Sequence, residues 1–265
     1  MIDISFLDYP FMRSALLMGL VLGALFSLVG IFIVTRGMAF FSDFVAHSAI
    51  LGGALALIAN IDSTFFLVLY SLLIAFAVSS VWDRFQLSKD TVLGIFYGGT
   101  VAGGIILISA KGLGWQSLTG LLFGDILLIR PVDLLLSTGL LVLFVLFLGL
   151  NLKGLVKSTF LPEISTAEGA RVRLYDYALI SITAVTISLS IKVIGVLLAN
   201  AMVVIPAATA KLLSRNFRQF MVIAPLSGVA SFTGGIILSF YFNVPSGPSV
   251  IATAFGIFLL SLVFK

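Results

Sequence analysis

The sequence predicts an all-α, polytopic membrane protein: one helical bundle of about nine spans joined by short loops, with roughly eight to ten allowed by the length. Three observations carry this. Hydrophobic residues make up 60% of the 265-residue chain and charged residues only 10%, against about 25% charged in a soluble domain. The mean hydropathy is +1.23, so the solvent for most of the chain is lipid. The few charges fall at intervals matching the roughly 20 apolar residues that a span requires.

Taken in order, the charges delimit the spans. Arg13 and Arg36 bound a first apolar run, 14–35, and a second extends from about Met38 to Ile61. Asp62 and Asp83 bound a third, and Asp90 and Lys111 a fourth. The stretch 112–129 is too short to cross and reads as interfacial or re-entrant, with Trp115 as a headgroup anchor. Asp133 and Lys153 bound the fifth span. A polar segment, 154–173, follows as the longest water-exposed loop. Runs near 174–191 and 193–210 are split only by Lys192, and the last two cover about 219–242 and 248–264. The whole chain, 1–265, reads as a single transmembrane domain.

Lys and Arg set the orientation. With an outside N-terminus, the inner set is Arg36, Arg84, Lys89, Lys153, Lys157, Arg171, Arg173, Lys211, Arg215, Arg218 and Lys265; the outer set is Arg13, Lys111, Arg130 and Lys192. This bias puts the loop at about 153–173 and the C-terminus in the cytoplasm. Gly19/Gly23, Gly94/Gly98, Gly99/Gly103 and Gly120/Gly124 have the small-xxx-small spacing that lets helices approach closely in lipid. Pro206 lies inside an apolar run, where it kinks or breaks the span.

The composition also excludes chemistry. With no cysteine there is no thiolate metal site, disulfide or cysteine nucleophile. The sequence has no GxxxxGK[ST] loop and no Gly-Lys dipeptide, so any ATP is hydrolysed by another chain. The N-terminus lacks the basic region of a cleaved signal peptide. A net charge of +4 reflects cytoplasmic Lys and Arg rather than nucleic-acid binding.

One stretch stands out. "FFSDFVAHSAILGG" (40–53) holds Asp43 and the only histidine, His47, in an apolar run. Residues four apart differ by roughly 40° around a helix, so the two project together. A carboxylate and an imidazole suit zinc, manganese or iron, and an ionisable group in a membrane is costly unless it is paired or faces a wet path. The residues alone leave two readings open. In one, the pair is a metal or proton site. In the other, Asp43 caps the helix start and His47 is an interior partner.

Further motifs bear on this. "TRGMAFFSDFVAHSAILGGALAL", "KDTVLGIFYG" (89–98), "LTGLLFGDILLI" (118–129), "KVIGVLLANAMVVIPAATAKLL" (192–213) and "NVPSGPSVI" (243–251) together resemble, in order, the membrane permeases of zinc and manganese ABC importers. They look most like the zinc permeases of Gram-negative bacteria. Ser42 stands where that family often has Gly, and Ile50-Leu51-Gly52 lacks a proline common in manganese members. The resemblance implies a permease in the bacterial inner membrane that is not itself an enzyme. Zn²⁺, or Mn²⁺ or Fe²⁺, would be the transported ion, received by Asp43 and His47, with no bound cofactor. The implied partners are a cytoplasmic ATPase, an external metal-binding protein and a second permease copy. In "LPEISTAEGARV", the resemblance implies a short coupling helix, with Ala167, Glu168 and Gly169 against the ATPase and Ser165 as its cap. Asp125 then meets the binding protein or caps a short helix. The rival class is a proton-coupled secondary transporter with Asp43/His47 as its proton site.

A straight second span places Asp43 near its cytoplasmic end, whereas ion sites usually lie near the midplane. Either Arg36 to Phe41 dips inward as an irregular segment, or the pair guards the inner side of the path.

Overall fold

The computed structural model describes residues 8–85, 87–112, 124, 129–167 and 172–263. The described residues form helices α1 (Pro10–Thr35), α2 (Ala39–Ala59), α3 (Ser63–Phe85), α4 (Lys89–Ala110), α5 (Pro131–Phe160), α6 (Pro162–Ala167), α7 (Val172–Leu213), α8 (Phe217–Phe242) and α9 (Ser246–Val263). Eight of them are long and apolar enough to cross a membrane. The chain is a multi-pass helical bundle, as the hydropathy requires.

Local chemistry explains the ends. Pro10 and Pro131 sit at first-turn positions, where a missing N–H costs nothing. Ser88 and Asn216 cap α4 and α8, accepting from Thr91 N and Gln219 N. Asn60 and Asn243 end α2 and α8 in the left-handed region, which Asn tolerates better than most residues. Asp62 caps α3, and hydrogen bonds from the Phe65 and Thr64 N–H groups hold its carboxyl below the usual range.

The 42-residue α7 would measure about 63 Å if continuous, twice the hydrocarbon thickness. It is interrupted at Gly195 (φ 76, ψ 165), a conformation only glycine adopts freely. Contacts show two limbs. Asp176 pairs with Arg36, just beyond α1. Lys192 reaches Thr64, in the first turn of α3 and so just past the opposite end of α2. Past Gly195 the path returns: Asn200 meets Asp43, and Lys211 lines a cavity with Thr35. The two limbs therefore run antiparallel, and the split read at Lys192 falls three residues later. The backbone stays helical through Pro206, so the break expected there lies at Gly195 instead.

The α5 helix also departs from expectation. It continues to Phe160, seven residues into the polar segment. Asn151, Lys153 and Lys157 suit a helix leaving the bilayer, and nothing stops it before Pro162.

The core is α1, α2 and α7, each largely buried, with α8 against α1. Backbone contact holds it. A side chain at Gly30 would overlap the Val203 carbonyl, and one at Gly23 would meet the backbone of Gly228. Ser27 lies in the same crossing, donating to the Gly23 carbonyl at 2.5 Å. Such close approach supplies the dispersion that lipid cannot replace. By contrast, α3, α4 and α5 are mostly exposed, and Gly94, Gly98 and Gly99 face open space.

Candidate metal site in the second helix

The sequence-predicted pair comes together on α2. The helix begins at Ala39, with Met38 as its cap residue. Asp43 is therefore in the second turn and caps nothing, so that reading falls. The irregular connection is confined to Arg36–Met38, where Gly37 has φ 66. The Gly37 N–H donates to Val34 O and the Met38 N–H to Ile33 O, closing a tight corner.

His47 Nδ1 lies 3.0 Å from the Asp43 carbonyl oxygen and 3.3 Å from Asp43 Oδ1. Both neighbours are acceptors, so Nδ1 carries the proton. That fixes the tautomer and leaves the Nε2 lone pair as the donor to a ligand, as in metal-binding histidines whose other nitrogen is hydrogen-bonded.

Asp43 is oriented from across the bundle. Asn200 Nδ2, on the second limb of α7, donates to Asp43 Oδ1 at 2.9 Å. Ser42 Oγ, fully buried, donates to Asn200 Oδ1 at 2.7 Å. Oδ1 is thus occupied, and Oδ2 is the oxygen left for an ion. The Tyr97 ring on α4 lies 5.1 Å from the imidazole. The Asp43 and His47 side chains keep 23% and 16% exposure, enough for access in an otherwise sealed core. Among the described residues no third His, Cys, Asp or Glu joins them. The described residues of one copy therefore offer two candidate ligands, an open set rather than a closed four-ligand cage.

Sequence reasoning missed Asn200 and Tyr97. Asn200 carried a signal, being an amide alone in an apolar run. Ser42, read as a departure from the family pattern, is the residue that orients it. Of the coupling residues, Ala167 ends α6; Glu168, Gly169, Asp125 and Trp115 lie outside the described residues. Ser165 is not a cap: α6 starts at Pro162, and the buried Ser165 donates its N–H to Leu161 O inside the helix. Leu161 and Ile164 are about half exposed beside it.

A polytopic bundle with a half-buried carboxylate–imidazole pair and no nucleotide loop defines a membrane permease. The ABC 3 transport family matches residues 8–265, and the chain belongs to it. The high-affinity zinc uptake system membrane protein ZnuB of Haemophilus influenzae is 34% identical over 255 residues, covering 96% of this chain and 97% of that one. The manganese import system permease protein ScaB of Streptococcus gordonii is 30% identical, covering 96% and 91%. The solved structure of PsaBC from Streptococcus pneumoniae in complex with Fab superposes with a TM-score of 0.85 at 28% identity, covering 97% of this chain and 94% of that chain. The chain is thus an inner-membrane permease subunit of a metal-importing ABC system, not itself an enzyme; ATP hydrolysis belongs to a separate subunit. The secondary-transporter reading is set aside.

Proposed function

We propose that this permease carries zinc, received transiently by Asp43 and His47 and passed to the cytoplasm. The observation that carries the site is the His47 tautomer set by Asp43, beside a carboxylate held by Asn200, which leaves Nε2 and Oδ2 as the atoms free to meet an ion. An imidazole–carboxylate set suits zinc's preference for nitrogen and oxygen. The missing proline after His47 leans towards zinc, while the relatives include zinc and manganese permeases alike.

Two copies would complete the site. The exposed small-residue face of α4, Gly94 and Gly98, flanks Tyr97 next to His47, and it allows the close approach that pairs helices in lipid. A two-fold assembly of this kind gives the ion a second Asp–His pair. The Lys and Arg bias supports an outside N-terminus, a cytoplasmic C-terminus, and α6 on the cytoplasmic face. There Leu161 and Ile164, with Ala167, Glu168 and Gly169 beyond, would dock the ATPase, while the opposite face would receive the metal-binding protein.

The test is ATP hydrolysis and ion uptake by the complex reconstituted in liposomes with its ATPase and binding protein. Zinc should stimulate both, and manganese should do so weakly. Stimulation by manganese alone removes the zinc assignment. No response to either ion removes the site.

A further inference from the structure

Arg36 forms a second polar cluster, seven residues before Asp43. Its side chain is 7% exposed. Nη1 pairs with Asp176, Nε donates to Thr159 Oγ1 at 3.0 Å, and Nη2 to Ser158 Oγ at 2.9 Å. Those partners are not scattered. Ser158 and Thr159 lie on the last turn of α5, immediately before α6; Asp176 lies on the first turns of α7, immediately after it. A single guanidinium therefore grips both flanks of the α6 segment. Its own backbone is the corner between α1 and α2, closed by the Gly37 and Met38 hydrogen bonds, and α2 carries the Asp–His pair two turns further on.

The chemistry explains why arginine occupies this position. A planar fork with five donors binds three partners in fixed directions at once, which lysine cannot do. A buried cation is expensive unless it is fully paired, so the corner is bound to the α5 and α7 ends and moves with them.

We infer that Arg36 is the positioning residue that carries displacement of α6 to the metal site, by tying both flanks of the segment to the corner from which α2 starts. This rests on the assignment of α6 as the ATPase contact. When the ATPase closes and shifts the α5 and α7 ends, the Arg36 corner follows. The first turns of α2 then reorient Asp43 and His47 against Asn200, which sits beyond the Gly195 break.

The reconstituted complex, with ATPase and binding protein in liposomes, tests this through the ratio of zinc-stimulated to basal hydrolysis. Arg36→Gln should assemble and hydrolyse ATP at the basal rate, but its stimulated ratio should fall at least fivefold and uptake per ATP should fall with it. Arg36→Lys, which keeps the Asp176 pair but not the fork, should be intermediate. Ser158→Ala with Thr159→Val should lower the ratio while leaving the ion pair intact. A wild-type ratio in Arg36→Gln overturns the inference. So does a parallel fall of basal and stimulated rates at constant uptake per ATP, the mark of a merely structural role. If Arg36→Gln does not assemble, the double variant decides: a lowered ratio supports the inference and an unchanged one overturns it. A wild-type complex that shows no metal stimulation removes the importer reading and the inference with it, whereas a responsive wild type with an equally responsive Arg36→Gln removes only the inference.

Discussion

Two ionisable clusters join the start of α2 to α7, and they are built oppositely. At Arg36 every guanidinium nitrogen has a protein partner: Asp176, Ser158 and Thr159, on the first limb of α7 and the end of α5. At Asp43 the partners on the second limb take only one carboxylate oxygen, and the imidazole is engaged only through Nδ1. Satisfied groups bind the bundle together. Groups that are oriented but left with spare lone pairs mark where a cargo is received. On the proposed reading the difference separates a coupling element from a metal site, although charge and hydropathy alone make the two look alike.

The largest effect should come from removing the open lone pairs. Asp43→Asn and His47→Ala should each cut zinc uptake by about 100-fold or more, since even outer partners of a metal ligand are worth about 10- to 100-fold. Both variants should insert, assemble with the ATPase and melt close to wild type. Growth in chelator, with uptake of labelled zinc into cells, reads the loss. Normal uptake in both would make the pair structural and erase the contrast with Arg36.

How much of this was legible in the sequence follows from where the information resides. The i, i+4 spacing and the rarity of charge exposed Asp43 and His47, because a helix in lipid makes any ionisable residue conspicuous. The all-α, multi-pass architecture was legible for the same reason. The α7 break was legible to within three residues, at Lys192, but its cause was not. Pro206 is the conventional breaker, yet a helix tolerates its missing N–H when neighbours pack well, while Gly195 supplies the positive φ that a reversal needs. The extent of α5 was hidden because polar residues read as loop continue a helix into water. Asn200, Tyr97 and the Arg36 grip depend on contacts between residues 50 or more positions apart in sequence, which no local pattern records.

Asn200 gives the second effect. It touches no ion in this arrangement but fixes which Asp43 oxygen faces outward. Asn200→Leu should reduce uptake by about tenfold, within the range for outer partners of a ligand, through weaker retention of zinc rather than loss of assembly. Asn200→Asp also removes the Nδ2 donor to Asp43 Oδ1 but adds a carboxylate that attracts the ion, so it should hold zinc more tightly than the Leu variant. Uptake measured across zinc concentrations separates the two. An Asn200→Leu variant with a wild-type concentration dependence would show that Asp43 orients itself without help.

Acidification should distinguish the clusters with the smallest effect. Burial pulls Arg36 down to about 10, so it remains charged at every pH below about 9, and its grip should not change between pH 8 and 5.5. His47 must be neutral to offer Nε2. Protonation removes the Nε2 lone pair, so uptake should fall as the pH is lowered from 8 to 5.5. Assembly with the ATPase, which depends on the Arg36 side of the molecule, should stay constant over the same interval. The binding protein has its own titration, so the measurement compares wild type with Asp43→Asn on residual uptake, using one preparation of binding protein. A pH response shared equally by both belongs to the partner. A response present only in wild type belongs to the Asp43–His47 pair, and it locates the pH sensitivity in the open cluster rather than in the closed one.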